Sequence, residues 1–248
     1  MALSGEPYLG GQRIQLDVNG KSGYVIVPPE PVDAERRWIW TAPGWLGLPR
    51  QDIGTIEHQF YIEGALARGF HFAGVEMGVT FGSPRGVRIF DRLYEILVGE
   101  YRLNPRVRLI GQSNGGLMQY NWAARHADVV DRILGLYPVL DLLTWPPGKL
   151  EQACTGEGYE MTPTELEARL DEFNPIEQLA PLAAKGVQIL RLHGDQDTLV
   201  PMEPNSSEMV RRYRALGGQA DLQVFVGHGH SGGPWLYESP TALAFLLA

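Results

Sequence analysis

One cysteine, Cys154, occurs in 248 residues, so no internal disulfide framework and no cysteine-rich zinc site can form, and the fold must rest on its core. Positive charge is in short supply as well: 21 Lys and Arg stand against 29 Asp and Glu, a formal net charge of −8. That balance argues for solubility and against nucleic acid or an anionic membrane as the main partner; a neutral small-molecule substrate is expected. No stretch approaches the ~20 apolar residues that would span a bilayer. The N-terminus has no basic segment followed by an apolar run, so a cytoplasmic protein is expected, with a trimmed signal peptide still compatible. No Ser/Gly/Pro-rich linker, charge run, internal repeat or low-complexity segment divides the chain, which reads as a single domain over 1–248. No cofactor is expected, and the oligomeric state is open.

What is present is organised around Arg108 to Leu117. Val107 to Ile110 reads as a buried strand and runs directly into Gly111-Gln112-Ser113-Asn114-Gly115, after which Leu117 to Ala127 carries a helical pattern. A serine on so tight a turn is held in a strained backbone conformation, and side chains at 111 or 115 would meet the neighbouring strand and helix. The helix that follows aims its free N–H groups at the same point, where charge would build on an attacked carbonyl oxygen. A plain strand-to-helix turn would use the same residue types, so the motif needs support from elsewhere in the chain.

Around this centre, strands alternate with helices. Arg13 to Val18 and Ser22 to Val27 flank Asn19-Gly20, a pair suited to a tight hairpin turn, and an opening antiparallel hairpin is expected. Arg37 to Thr41 reads as a strand ending at Ala42-Pro43-Gly44-Trp45-Leu46-Gly47. A helix over 57–67 is stopped by Gly69, a strand follows at 70–75, and 78–86 reads as a glycine-rich loop. Ile89, Leu93, Ile96 and Leu97 mark the buried stripe of the next helix. Beyond Ser113 come strands at 133–137, 187–192 and 222–226, with helices near 208–216 and from about Pro240. The rhythm implies right-handed crossovers and a mostly parallel twisted sheet covered by helices on both faces. Residues 139–185 break the alternation and read as a small cap insertion, with a charged helix from Thr162 to Phe173 capped by Thr162. Such a helix lacks the broad apolar face of a lid that opens on lipid.

Two later motifs complete the pattern. His193-Gly194-Asp195-Gln196-Asp197-Thr198-Leu199-Val200-Pro201 follows one strand, and Gly227-His228-Gly229-His230-Ser231-Gly232-Gly233 follows the last. With Ser113 upstream, the order is serine, acid, histidine, each in a loop after a strand. A metal reading of His228-x-His230 with the aspartates has no further ligands at recognisable spacing, so no metal is expected. By residue type alone, Asp195 or Asp197 could supply the carboxylate and His228 or His230 the imidazole. His58, His71, His126 and His193 stand isolated and read as surface or structural histidines.

At these residues the chain resembles the α/β-hydrolase superfamily, and within it the small serine esterases and prolyl-oligopeptidase-related hydrolases, which share the H-G-D-x-D-x-x-V-P and G-x-G-H runs. The resemblance covers nearly everything after the hairpin and implies the α/β-hydrolase fold. It implies a catalytic triad of Ser113, Asp197 and His230, and an oxyanion hole made by the backbone N–H groups of Asn114 and, from the loop after the early strand, Trp45. Where many members have His-Gly, this chain has Pro43-Gly44, so the supporting histidine is missing. Trp145 and Trp235 flank the expected cleft, where their flat faces would suit a sugar ring or an aryl group; cap-to-body packing is the other reading.

The expected activity is carboxylic ester hydrolysis through an acyl-enzyme, with a short acyl group on a carbohydrate or aromatic alcohol. Peptidase or thioesterase action on the same triad is an alternative, as is a non-catalytic hydrolase-fold protein that binds a small ligand.

Overall fold

The computed structural model describes residues 5–45, 57–145 and 150–248; the calls on Leu46 and Gly47 lie outside them. The chain opens with three antiparallel strands, β1 (Glu6–Tyr8), β2 (Gly11–Val18) and β3 (Lys21–Val27), then β4 (Trp38–Ala42), α1 (Gln59–Ala67) and β5 (His71–Glu76). It continues through α2 (Pro84–Glu95), β6 (Val107–Gln112), α3 (Gly115–Arg125) and β7 (Val130–Leu136). Four short helices follow, α4 (Leu150–Ala153), α5 (Pro163–Glu167), α6 (Leu170–Phe173) and α7 (Ala180–Ala184). The chain closes with β8 (Gln188–Gly194), α8 (Glu208–Ala215), β9 (Ala220–Phe225), α9 (Pro234–Tyr237) and α10 (Pro240–Leu247).

Among the described residues nine strands form one sheet in the order β1-β2-β3-β5-β4-β6-β7-β8-β9. Pairing is antiparallel from β1 to β5 and parallel from β5 to β9, which leaves β6 near the middle. The Asn19-Gly20 turn forms as expected, both residues with positive φ (54° and 77°) and the Gly20 N–H bonded to Asp17 Oδ1 at 2.7 Å. The hairpin does not open the sheet, however, because β1 precedes it and forms the edge.

Strand side chains alternate between two apolar cores. Leu109, Ile133 and Ile189 face one core, shared with Phe90 and Leu93 of α2, Trp122 of α3 and Met209 of α8. Ile110, Leu134 and Leu190 face the other, shared with Tyr61 of α1, Leu236 of α9 and Leu246 of α10. A sheet buried on both faces needs such continuous apolar runs rather than an apolar/polar alternation.

Several boundaries differ from the sequence expectation. The glycine-rich loop ends at Ser83, whose Oγ accepts the Gly86 N–H, and Gly86 lies inside α2, where a Cβ would meet Thr80 Oγ1 at 2.4 Å. The helix expected from Thr162 to Phe173 starts with the expected cap, Thr162 Oγ1 and the Glu165 carboxylate bonding reciprocally, but breaks between α5 and α6. Residues 139–185 divide in two. Leu142, Tyr159, Leu166 and Phe173 build a third apolar cluster on Phe81, Leu117 and Val200, whereas Ile176, Leu179 and Leu182 join the core against α3. Two buried asparagines hold the exit from β7: Asn205 Oδ1 accepts the Leu140 and Asp141 N–H groups at 2.8 and 3.2 Å, and Asn174 Oδ1 accepts that of Leu142 at 3.0 Å. Among the described residues no helix is long and apolar enough to cross a membrane.

Candidate active site

Ser113 leaves the carboxyl end of β6 with φ at +48°, a left-handed conformation that costs a non-glycine residue on the order of 1–3 kcal/mol. Neighbouring backbone holds it there: Ser113 N–H donates to Leu136 O at 3.0 Å, and Ser113 O accepts from Gly116 N–H (3.0 Å) and Val139 N–H (2.8 Å). The two motif glycines are not equivalent. A Cβ at 115 would lie 1.9 Å from Ala42 O, an impossible contact, whereas at 111 the nearest atom, Gln119 Oε1, is 3.3 Å away, which is tight but not prohibitive. The expected collision therefore belongs to Gly115, which lets α3 start against the end of β4.

His230, in the loop after β9, places Nε2 2.9 Å from Ser113 Oγ and Nδ1 2.7 Å from Asp197 Oδ2. Asp197 is carboxylate-only on this side, so His230 donates Nδ1–H to it and leaves Nε2 to accept the serine proton. Asp197 Oδ1 accepts the Leu199 and Val200 N–H groups at 3.0 and 2.8 Å. Burial alone would raise the Asp197 carboxyl; hydrogen bonds from His193, His230 and the Val200 N–H outweigh it and hold the group well below the ordinary carboxylate range. Asp195 instead accepts the Gly227 N–H at 2.6 Å, shaping the loop after β9, and His228 packs against Trp235 at 4.9 Å between ring centres.

Ser113 and His230 open into a cleft of about 320 Å³ that Asn114, Pro43 and Trp45 also line. Asn114 is buried and Trp45 is 47% exposed, so the two residues expected to supply oxyanion donors border the same space as the serine. The tryptophans expected to flank the cleft do not line it. Trp145 lies against Phe81 (5.6 Å) in the third apolar cluster, and Trp235 packs on Phe225 (4.6 Å) and His228; both hold elements together, which is the packing alternative.

The remaining lining is polar and comes from Glu57, His58, Gln112 and Tyr137. Gln112 Nε2 donates toward Glu57 and lies 3.1 and 2.9 Å from the hydroxyls of Tyr137 and Tyr237. Tyr237 OH donates to Glu57 Oε1 at 2.5 Å and lies 2.6 Å from Tyr137 OH. Burial, with the Tyr137 and Glu57 groups beside it, pushes the Tyr237 phenol far above its ordinary value, so it remains a proton donor. His58 carries φ at +65°, and burial pushes its imidazole down, keeping it neutral. Sequence reasoning missed this wall. Gln112 and Tyr137 were open to discovery, since each sits at the carboxyl end of a central strand. No local pattern marks Glu57 or His58 before α1 as residues of the cleft.

A mostly parallel sheet with a left-handed serine after its central strand, and a histidine after its last strand bonded to both that serine and a buried carboxylate, defines a protein of the α/β-hydrolase fold. Residues 96–247 match the model of the prolyl oligopeptidase family. The chain belongs to that family.

Similar solved structures include a puromycin hydrolase, 19% identical with a TM-score of 0.69 over 96% of this chain and 37% of that one. A puromycin-hydrolyzing peptidase of Mycobacterium tuberculosis is 17% identical, with a TM-score of 0.70 over 97% of this chain and 39% of that one. The chain thus spans less than two fifths of the length of these two proteins. A Thermus thermophilus protein is matched over nearly its full length: 19% identity, a TM-score of 0.64, and coverage of 95% of this chain and 96% of that one. No curated protein matches the sequence.

Proposed function

We propose that this chain is a serine hydrolase that cleaves amide bonds of short peptides or aminoacyl compounds. The observation that carries the reading is the continuous Ser113 Oγ, His230 Nε2, His230 Nδ1, Asp197 Oδ2 array at 2.9 and 2.7 Å, on a chain of the prolyl oligopeptidase family. His230 takes the Ser113 proton as Oγ attacks the carbonyl carbon. The oxyanion meets the backbone N–H of Asn114 and a donor from the Trp45 loop, and His230 then protonates the leaving amine. Water repeats the cycle and releases the acyl group.

Family membership moves the expected bond from ester to amide, and the cleft supports the move. A wall of Glu57, His58, Gln112 and Tyr137, in which Gln112 bonds to Glu57 and Tyr137, presents a polar surface that suits an aminoacyl unit better than a bare alkyl acyl chain. The test has two parts. Intact mass after treatment with a fluorophosphonate should show one adduct on the wild type and none on Ser113→Ala. Hydrolysis of aminoacyl and N-acyl-aminoacyl p-nitroanilides should then exceed, in kcat/KM corrected for leaving group, that of p-nitrophenyl acetate and butyrate. Labelling with turnover of the simple esters alone would restore the ester reading, and no labelling of folded protein would favour a ligand-binding hydrolase fold.

A further inference from the structure

His193, near the end of β8, is completely buried, and it belongs to no role in the proton path described above. Its ring is nonetheless wired into that path. Nε2 lies 3.0 Å from the Val200 carbonyl and 3.2 Å from Asp197 Oδ2, the same oxygen that accepts His230 Nδ1–H. Nδ1 lies 2.7 Å from Ser206 Oγ, itself fully buried in the turn before α8.

These partners settle the tautomer. A backbone carbonyl can only accept, so Nε2 carries the proton and shares it between Val200 O and Asp197 Oδ2. Nδ1 is then bare and must accept, so Ser206 donates its hydroxyl proton. The result is a second serine and histidine that meet the aspartate at the same Oδ2 that His230 uses. We propose that His193, oriented by Ser206, is a positioning residue that fixes the Asp197 carboxylate for His230 and draws part of its negative charge away from the His230 imidazole. The proposal rests on the hydrolase reading above.

The chemistry follows from sharing one oxygen between two donors. With His193 in place, Asp197 Oδ2 divides its acceptor strength between two donors. Without that donor, the carboxylate turns its charge on the His230 Nδ1–H alone, which moves the acid limb of Ser113 reactivity upward, and Oδ2 loses one of the contacts that sets its angle. The groups that face His230 are Asp197, Ser113 and the Tyr137 ring at 4.3 Å, with Glu57 and His58 in the same cleft. Facing His193 are Asp197, Ser206 and Val200 O, with the buried Arg191 two residues earlier on β8.

The experiment compares His193→Gln, whose amide nitrogen reaches the place of Nε2, with His193→Asn, whose amide reaches only the place of Nδ1. The readout is the pH profile of the second-order rate of fluorophosphonate labelling at Ser113 on folded protein. His193→Gln should keep the wild-type acid limb and a rate within a few-fold. His193→Asn should move the acid limb upward by about half a pH unit or more and lower the plateau about tenfold. A purely structural role would change stability or the plateau and leave the limb in place. An unmoved limb in His193→Asn, whatever its plateau, overturns the proposal. Should His193→Asn fail to fold, Ser206→Ala decides: an upward shift supports the proposal and an unchanged profile overturns it. Absence of labelling on the wild type would instead defeat the hydrolase reading itself.

Discussion

Gly115→Ala adds one methyl group at the place where α3 meets the end of β4. The new Cβ would lie 1.9 Å from Ala42 O, 2.3 Å from Ala42 C and 2.7 Å from Pro43 N, all of them backbone atoms that no rotamer change can clear. Relief to about 3 Å requires α3 and the β4 loop to separate by roughly 1 Å, in a core where extra volume costs ~1–3 kcal/mol even when side chains give way. With backbone on both sides the cost should reach about 3 kcal/mol or more, read as a lower urea midpoint at unchanged slope. The same loop carries Pro43 and Trp45 to the cleft, so a separation of this size moves it relative to Ser113 and should reduce fluorophosphonate labelling by about 10²-fold. Gly99→Ala is the control. Gly99 is exposed, has no left-handed φ, and a Cβ there meets nothing within 4 Å, so alanine should be neutral or stabilise by up to ~1 kcal/mol. A Gly115→Ala protein as stable and as reactive as the wild type would refute the steric argument.

Other consequences can be read in the same way. Asp197→Asn must set an NH2 group against either the His230 and His193 donors or the Leu199 and Val200 N–H groups; the first choice forces the wrong His230 tautomer, and labelling of Ser113 should fall on the order of 10⁴-fold. His71 is buried at the start of β5, and burial, with Arg36 adding to it, lowers its pKa from 6.5 to about 4. The unfolded chain therefore binds a proton that the folded one refuses between these values, so stability falls as pH drops from about 6.5 to about 4, by on the order of 3 kcal/mol. His71→Gln should flatten urea midpoints measured across that window. Arg191 is fully buried, its guanidinium lies over the Tyr120 ring at 5.0 Å, and burial pushes its pKa down with only the neighbouring Tyr120 offsetting it. Arg191→Met should keep the volume, remove an uncompensated charge and raise the urea midpoint by the equivalent of ~1–4 kcal/mol; a lower midpoint would show that the cation is stabilised in place.

The sequence by itself determined the plan of the sheet. Strand positions follow from apolar runs such as Ile133 to Leu136 that need burial on both faces, and the parallel order follows because a helix separates nearly every pair. It also placed three chemistry-bearing residue types in loops at strand ends, since glycine, serine, aspartate and histidine keep their local geometry wherever the chain carries them. Helix ends were less legible. Gly86 looked like part of a loop because glycine favours turns, yet the Ser83 cap and Pro84 start α2 before it and Thr80 leaves no room for a Cβ, and the Thr162 capping box could start α5 without deciding how far it would run.

Tertiary structure decided what local pattern cannot encode, namely which side chains from distant segments share a space. Asp195 and Asp197 are chemically identical in sequence; only the path of the loop turns one to the Gly227 N–H and the other to His230. His193 read as a structural histidine until β8 and the turn before α8 brought Asp197 and Ser206 to its two nitrogens. Trp145 and Trp235 had the right chemistry to line a cleft, but burying their large apolar faces against Phe81 and Phe225 placed them in the packing instead, and the cleft wall fell to Glu57, His58, Gln112 and Tyr137. Contacts such as His230 with Asp197 and Trp145 with Phe81 depend on the closed shape of the whole core, and even the short-range pair His193 and Asp197 meets only because of the path the loop takes after β8.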